Sequence, residues 1–184
     1  MKIKIFIDCQ DDLFNGSMKC EGSDNNLAVK IGESFQQSIR NKDKIIFTLE
    51  THHQSKTNHN IEQYVFPEHC MNLSEGWLMI PHLQHTFDEI GEEEMANIIA
   101  IEKNTFGSIE LIAIIRGLIK DSKYVEIELC GLPTDISVLH NAIILYNTIP
   151  TAKFSIDSAC CAGTTIENHN ITLKILNDLG FKIK

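Results

Sequence analysis

The stretch YVEIELCGLPTDISVLHNAIILYN, residues 124–147, decides how the fold is read. Its opening YVEIEL alternates strictly between β-formers and polar residues, the two-residue period of a strand. Glycine and proline then interrupt the pattern at Gly131 and Pro133. From Thr134 to Asn147 the apolar residues Val138, Leu139, Ala142, Ile143 and Tyr146 share one stripe at helical spacing. A strand that turns directly into a helix is the repeating unit of a parallel α/β sheet.

The same unit recurs on both sides of this stretch. Residues 2–8 (KIKIFID), 44–49, 97–101, 153–156 and 181–183 read as strands. Residues 26–40, 109–119 and 166–179 read as helices between them, with Ser108 as an N-cap and Gly180 as a C-terminal stop. About six β/α repeats fit the length, with helices on both faces of a mainly parallel six-stranded sheet. Ligands in such sheets gather where the strands end. Asp8, Glu50, His52, Lys103 and the turn 131–137 all fall at strand ends. Residues 51–91 differ: they show little periodicity and hold His52, His53, His59, His69, His82 and His85, which suggests a functional loop.

The chain of 184 residues is long enough for one domain, residues 1–184, with a real core. Its formal net charge of −9 repels phosphate backbones and argues against nucleic acid as a partner. No apolar run approaches the ~18–20 residues that span a bilayer. The N-terminus lacks the shape of an export signal. The six cysteines show no CxxC spacing, so reduced thiols in a cytoplasmic protein are the expectation.

Six segments, in order, resemble the isochorismatase-like cysteine hydrolases, and the nicotinamidases among them. They are IFIDCQDDLFNGS (residues 5–17), TLETHH (48–53), FPEHC (66–70), IEKNTFGS (101–108), the turn and helix of 130–147, and DSACCAGTTIENH (157–169). The resemblance implies a three-layer α/β/α fold and hydrolysis of a small amide, nicotinamide to nicotinate and ammonia, through a covalent acyl-enzyme. It implies a triad of Asp8, Lys103 and a cysteine. The chemistry is coherent, because a nearby ammonium and a helix N-terminus favour a thiolate, and Asp8 can take and return its proton.

The matching nucleophile position, however, holds Ser137. A hydroxyl is a far weaker acid than a thiol, so weak activity or none is expected. Cys9 follows Asp8 on the strand and points to the opposite face, Cys130 precedes the turn, and Cys70 and Cys160 have no motif. Three readings of Ser137 stay open: a replacement made to trap substrate, natural divergence towards binding or altered chemistry, and a slow serine nucleophile. The family's oxyanion turn falls on Leu132, Pro133 and Ser137. Pro133 has no N–H to donate, which favours natural divergence.

The resemblance also implies a divalent metal, zinc with manganese or iron as alternatives, held by Glu50, His52, His69 and a further ligand. Glu62 suits the spacing of that ligand better than His59. Phe66 and Phe14 are the implied aromatic walls for a flat substrate, with Leu13 an alternative to Phe14. His53, His82 and His85 read as solvated, and His140 and His169 as either solvated or packed. A homo-oligomer is implied by the family alone. The alternatives are another small-amide hydrolase, an isochorismatase-type vinyl-ether hydrolase that needs no cysteine, and an inactive ligand-binding homologue.

Overall fold

A computed structural model describes residues 1–53, 65–120 and 122–184. Six strands, β1 (Lys2–Ile7), β2 (Lys44–Glu50), β3 (Ile98–Lys103), β4 (Glu126–Gly131), β5 (Lys153–Cys161) and β6 (Lys182–Ile183), form one sheet. Every pairing is parallel and the spatial order is β3-β2-β1-β4-β5-β6. The connections run outward in opposite directions from β1 and β4, so right-handed crossovers place helices on both faces. The point of reversal, between β1 and β4, is where such sheets open a crevice at their carboxyl ends.

Helices α1 (Asn25–Arg40) and α2 (Pro81–Glu89) pack together over one face. Their anchor is an aromatic cluster. Phe6 of β1 stacks on Phe47 of β2 at 4.9 Å, Phe35 of α1 stands edge-on to both, and Phe87 of α2 closes it. Helices α3 (Glu110–Ile119) and α4 (Leu139–Thr148) pack against each other on the opposite face, and α5 (Ile166–Asp178) precedes the edge strand β6. Among the described residues no helix is long and apolar enough to cross a membrane.

Three local expectations change. Residues 51–91 are not loop throughout: α2 forms there because Pro81 opens it and Leu83, Thr86 and Phe87 bury one face. Its apolar anchors are too few to reveal a helical period. Residues 134–147 are not one regular helix. Thr134–Val138 forms a wider turn, closed by the Val138 N–H donating to the Pro133 carbonyl at 3.1 Å, and α4 begins only at Leu139. That turn rotates the helix, so Asn141 and Leu145 are buried while Tyr146 is exposed. Strand β5 continues to Cys161, with an irregular register opposite Gly131.

Gly131 explains that irregularity. Its φ is +124°, and a β-carbon there would lie 1.9 Å from the Ile7 carbonyl oxygen. The ends of β1 and β4 therefore touch, and the Leu132 N–H donates to the Ile7 carbonyl at 2.9 Å. Replacing Gly131 with alanine meets both a disfavoured φ and a backbone clash. We expect Gly131→Ala to lose more than ~3 kcal/mol of stability. A urea-denaturation midpoint within error of the parent would contradict this close approach.

A polar cluster also lies under α1. The fully buried Lys4 ammonium is 2.8 Å from Glu128 and 2.6 Å from Asp157, and Lys2 and Lys184 also pair with Glu128. Burial alone would raise the Glu128 carboxyl, but these ammoniums hold it down at about 2. A depressed folded-state value stabilises the protein above the carboxyl's unfolded value. That contribution is lost as pH falls toward about 2. Stability should therefore drop between about pH 5 and pH 2, and Glu128→Gln should flatten that slope in acid-denaturation curves.

Candidate active site

Asp8 follows β1 and is fully buried. The two-residue period of the strand would aim it to the face of Lys4 and Phe6. Its φ of +47° re-aims it, in a left-handed conformation that aspartate tolerates better than most residues. The carboxylate instead meets Thr48, whose hydroxyl donates to Oδ1 at 2.6 Å, and Lys103, whose Nζ lies 2.6 Å from Oδ2. Thr48 pairs in register with Ile7, and Lys103 with Glu50, so all three belong to one end of neighbouring strands. The Asp8–Lys103 contact is an ion pair rather than an aligned hydrogen bond.

Burial and the charge of Glu50 raise the Asp8 carboxyl to about 6, against the opposing pull of Lys103. Burial alone would lower the Lys103 ammonium, but Asp8 and Glu50 raise it, so it stays charged. Above about pH 6 both groups are ionised. Lys103 also approaches Glu50 Oε2 at 3.6 Å.

Glu50 ends β2. Its Oε1 lies 3.0 Å from His52 Nε2 and 3.0 Å from His69 Nε2, and the three donor atoms fall within 4.8 Å of one another. All three residues are buried. The His69 Nδ1 lies 2.7 Å from the Pro67 carbonyl, which can only accept. His69 therefore donates from Nδ1, which leaves Nε2 as the ring atom that faces Glu50 and could serve as a metal ligand. Burial would raise the Glu50 carboxyl, but Lys103, His52 and His69 hold it well below the usual range. Among the described residues, one carboxylate and two imidazoles converge, a donor set that suits zinc, manganese or iron. Glu62 and His59 lie outside the described residues.

Gln10 holds this end of the sheet together. Its Oε1 accepts from the Glu50 N–H at 2.7 Å, and its Nε2 donates to the Glu50 and Trp77 carbonyls. The Trp77 indole N–H in turn donates to Thr51. Asp12 accepts from the Cys70 N–H at 2.6 Å and so anchors the segment carrying His69.

Ser137 is fully buried, and its hydroxyl has no hydrogen-bond partner among the described residues. Such an orphaned buried hydroxyl is exceptional in a folded protein. Leu132 is buried, and the Leu132–Pro133 peptide is cis. All six cysteines are free and buried. Burial and the carboxylates of Glu50, Asp8 and Asp12 raise the Cys70 thiol, and burial pushes Cys160 up to about 12.

Phe14 is 3% exposed and packs in the apolar core. Phe66 is half-buried and meets Phe106 edge-on at 5.8 Å, while Phe106 contacts His140. His169 is half-buried, and its Nδ1 lies 2.8 Å from the Thr134 hydroxyl. Thr48, Phe106 and Asn141 were not singled out from the sequence. Thr48 carried a usable signal, since it sits two residues before Glu50 on the strand face that Glu50 shares.

Zinc added to metal-stripped protein should raise the unfolding temperature. The stabilisation is about 2.7 kcal/mol when free metal is a hundred times the dissociation constant. Glu50→Gln and His69→Ala should abolish the shift in thermal-melt measurements. An unchanged melt in the parent protein would contradict a metal site here.

No family model and no curated protein matches the chain. Solved structures do. A nicotinamidase/pyrazinamidase from Bacillus subtilis is 26% identical, covers 99% of this chain and 98% of its own, and superposes with a TM-score of 0.84. A pyrazinamidase/nicotinamidase from Streptococcus mutans is 24% identical over 100% of both chains, with a TM-score of 0.85. A pyrazinamidase from Pyrococcus horikoshii in complex with zinc is 17% identical, covers 100% of this chain and 98% of its own, and has a TM-score of 0.77. The chain thus has an α/β fold, a central six-stranded parallel sheet flanked by helices, that is similar over nearly its full length to that of nicotinamidases and pyrazinamidases.

Proposed function

We propose that the protein is built on the plan of a small-amide hydrolase, most like a nicotinamidase, with the nucleophile position occupied by serine. The observation that carries this reading is the buried Asp8–Lys103 ion pair, 3.6 Å by way of Lys103 from a carboxylate that also faces two histidines. Likeness to the Bacillus subtilis nicotinamidase/pyrazinamidase supports it.

In this scheme the group at position 137 attacks the carboxamide carbon and its proton passes to Asp8. Lys103 holds Asp8 in place and stabilises negative charge as it develops. Asp8 then donates that proton to the departing ammonia, and water hydrolyses the acyl-enzyme with Asp8 again taking the proton. Glu50, His52 and His69, with Glu62 as the proposed further ligand, would hold a divalent cation that orients the ring of the substrate. Phe66 offers an aromatic face to that ring, with Phe14 the wall proposed opposite. Serine at position 137 leaves Asp8 facing a proton it is poorly matched to remove.

Ser137→Cys, loaded with zinc or manganese, should release ammonia from nicotinamide, with the parent slower by on the order of a thousandfold or more. The variant's kcat/KM should rise through a midpoint of about 6 as the Asp8 carboxyl ionises, and Asp8→Asn should abolish it. No ammonia from either form, with metal bound, would sink the amidase reading.

A second reading is favoured by Asp8 itself. A carboxyl raised to about 6 can donate a proton as well as accept one, and vinyl-ether hydrolysis needs a proton on carbon rather than a thiol. Pyruvate released from isochorismate by the parent protein, lost in Asp8→Asn, would select that chemistry. Binding without turnover in both assays would leave a ligand-binding homologue.

A further inference from the structure

The turn that carries Ser137 is clamped on two sides. On one side the Thr134 N–H donates to the Ala162 carbonyl, and the Asp135 carboxylate accepts from the Thr164 N–H and hydroxyl at 2.7 and 2.5 Å. On the other side the Asn141 side chain makes a link. Asn141, fully buried in the first turn of α4, donates from Nδ2 to the Ser137 carbonyl at 2.8 Å and to the Phe106 carbonyl at 3.1 Å. Its Oδ1 accepts from the Ser108 N–H at 2.9 Å. The Ser108 hydroxyl then accepts from the Leu111 N–H and starts α3.

The loop thus gripped, residues 104–108, is the one that leaves Lys103. Burying an amide costs free energy unless its hydrogen bonds are made, and an aliphatic side chain would fill the same space without that cost. Three bonds to three backbone groups make this amide a fixed-length spacer between Ser137 and the strand end that presents Lys103. The same bonds place the Phe106 backbone, and so the ring that faces Phe66 and His140.

We propose that Asn141 is a positioning residue: it sets the register between position 137 and Lys103 by tying the Ser137 carbonyl to the loop that follows Lys103. This rests on the reading of position 137 as the reacting position. Asn141 touches no substrate in this account and acts only through the two backbones it joins.

The test uses full-length, metal-loaded Ser137→Cys protein and the rate at which iodoacetamide alkylates the new thiol, followed against pH by peptide mass spectrometry. Asn141→Thr keeps a hydroxyl able to bond the carbonyl four residues back, but it is too short to reach the Phe106 and Ser108 backbones. Asn141→Asp keeps the shape and the bond from Ser108 while setting carboxylate oxygen against two carbonyls. Either substitution in the Ser137→Cys background should slow alkylation at neutral pH by about tenfold or more and move its midpoint upward, because in the proposed scheme the Lys103 ammonium is what favours the thiolate. A purely structural role would lower the melting temperature and leave the alkylation rate of folded protein within about twofold, and that result would overturn the proposal. Should Asn141→Asp fail to fold, Asn141→Thr carries the comparison alone. The same samples are offered nicotinamide. A clear alkylation contrast with no ammonia release would contradict the amidase reading and leave the role of Asn141 standing.

Discussion

Two opposite charges are held out of water at the carboxyl ends of the strands, the Asp8 carboxylate and the Lys103 ammonium, 2.6 Å apart. Removing each from solvent costs several kcal/mol after relaxation, and mutual attraction offsets that only when the geometry is held. Much of the local architecture serves this requirement. Asp8 adopts a left-handed backbone to reach the pair, Thr48 satisfies its other oxygen, and Gln10 ties the end of β1 to the end of β2. Gly131 lets β4 close against β1 just before the turn that carries Ser137.

Glu50 joins the pair to the candidate metal centre. One of its oxygens faces His52 and His69 while the other faces Lys103. A glutamate reaches one methylene further from the strand than an aspartate, and here its two oxygens look in two directions. Lys103 thereby balances two carboxylates, and the raised carboxyl of Asp8 reflects burial and the nearby charge of Glu50. The charges at this rim act as one set, each conditioning the next.

Strand–turn–helix alternation was enough to read the sheet and its carboxyl rim, and Asp8, Glu50, His52 and Lys103 were legible as strand-end polar residues, whereas His69 was implied by the family resemblance alone. Period-two reasoning alone would have sent Asp8 to the wrong face, since it carries no information about a left-handed residue. Helix α2 escaped notice because its sequence PHLQHTFDE holds few apolar anchors. The wide turn at Thr134–Val138 escaped for another reason: its hydrogen bonds depend on the Pro133 carbonyl, which pattern analysis does not see. Asn141 reads from sequence as an ordinary polar residue on a helix, and only the closeness of two loops reveals its three bonds.

The central claim is that position 137 is where a carboxamide would be attacked, with Asp8 and Lys103 in support. Acid-quenched mass spectrometry of metal-loaded Ser137→Cys, mixed briefly with nicotinamide, tests it most directly. The account predicts a nicotinoyl adduct on the peptide containing position 137, released by hydroxylamine and missing when Asp8→Asn is also present. An adduct on another cysteine-bearing peptide, or none while ammonia is being released, would contradict it.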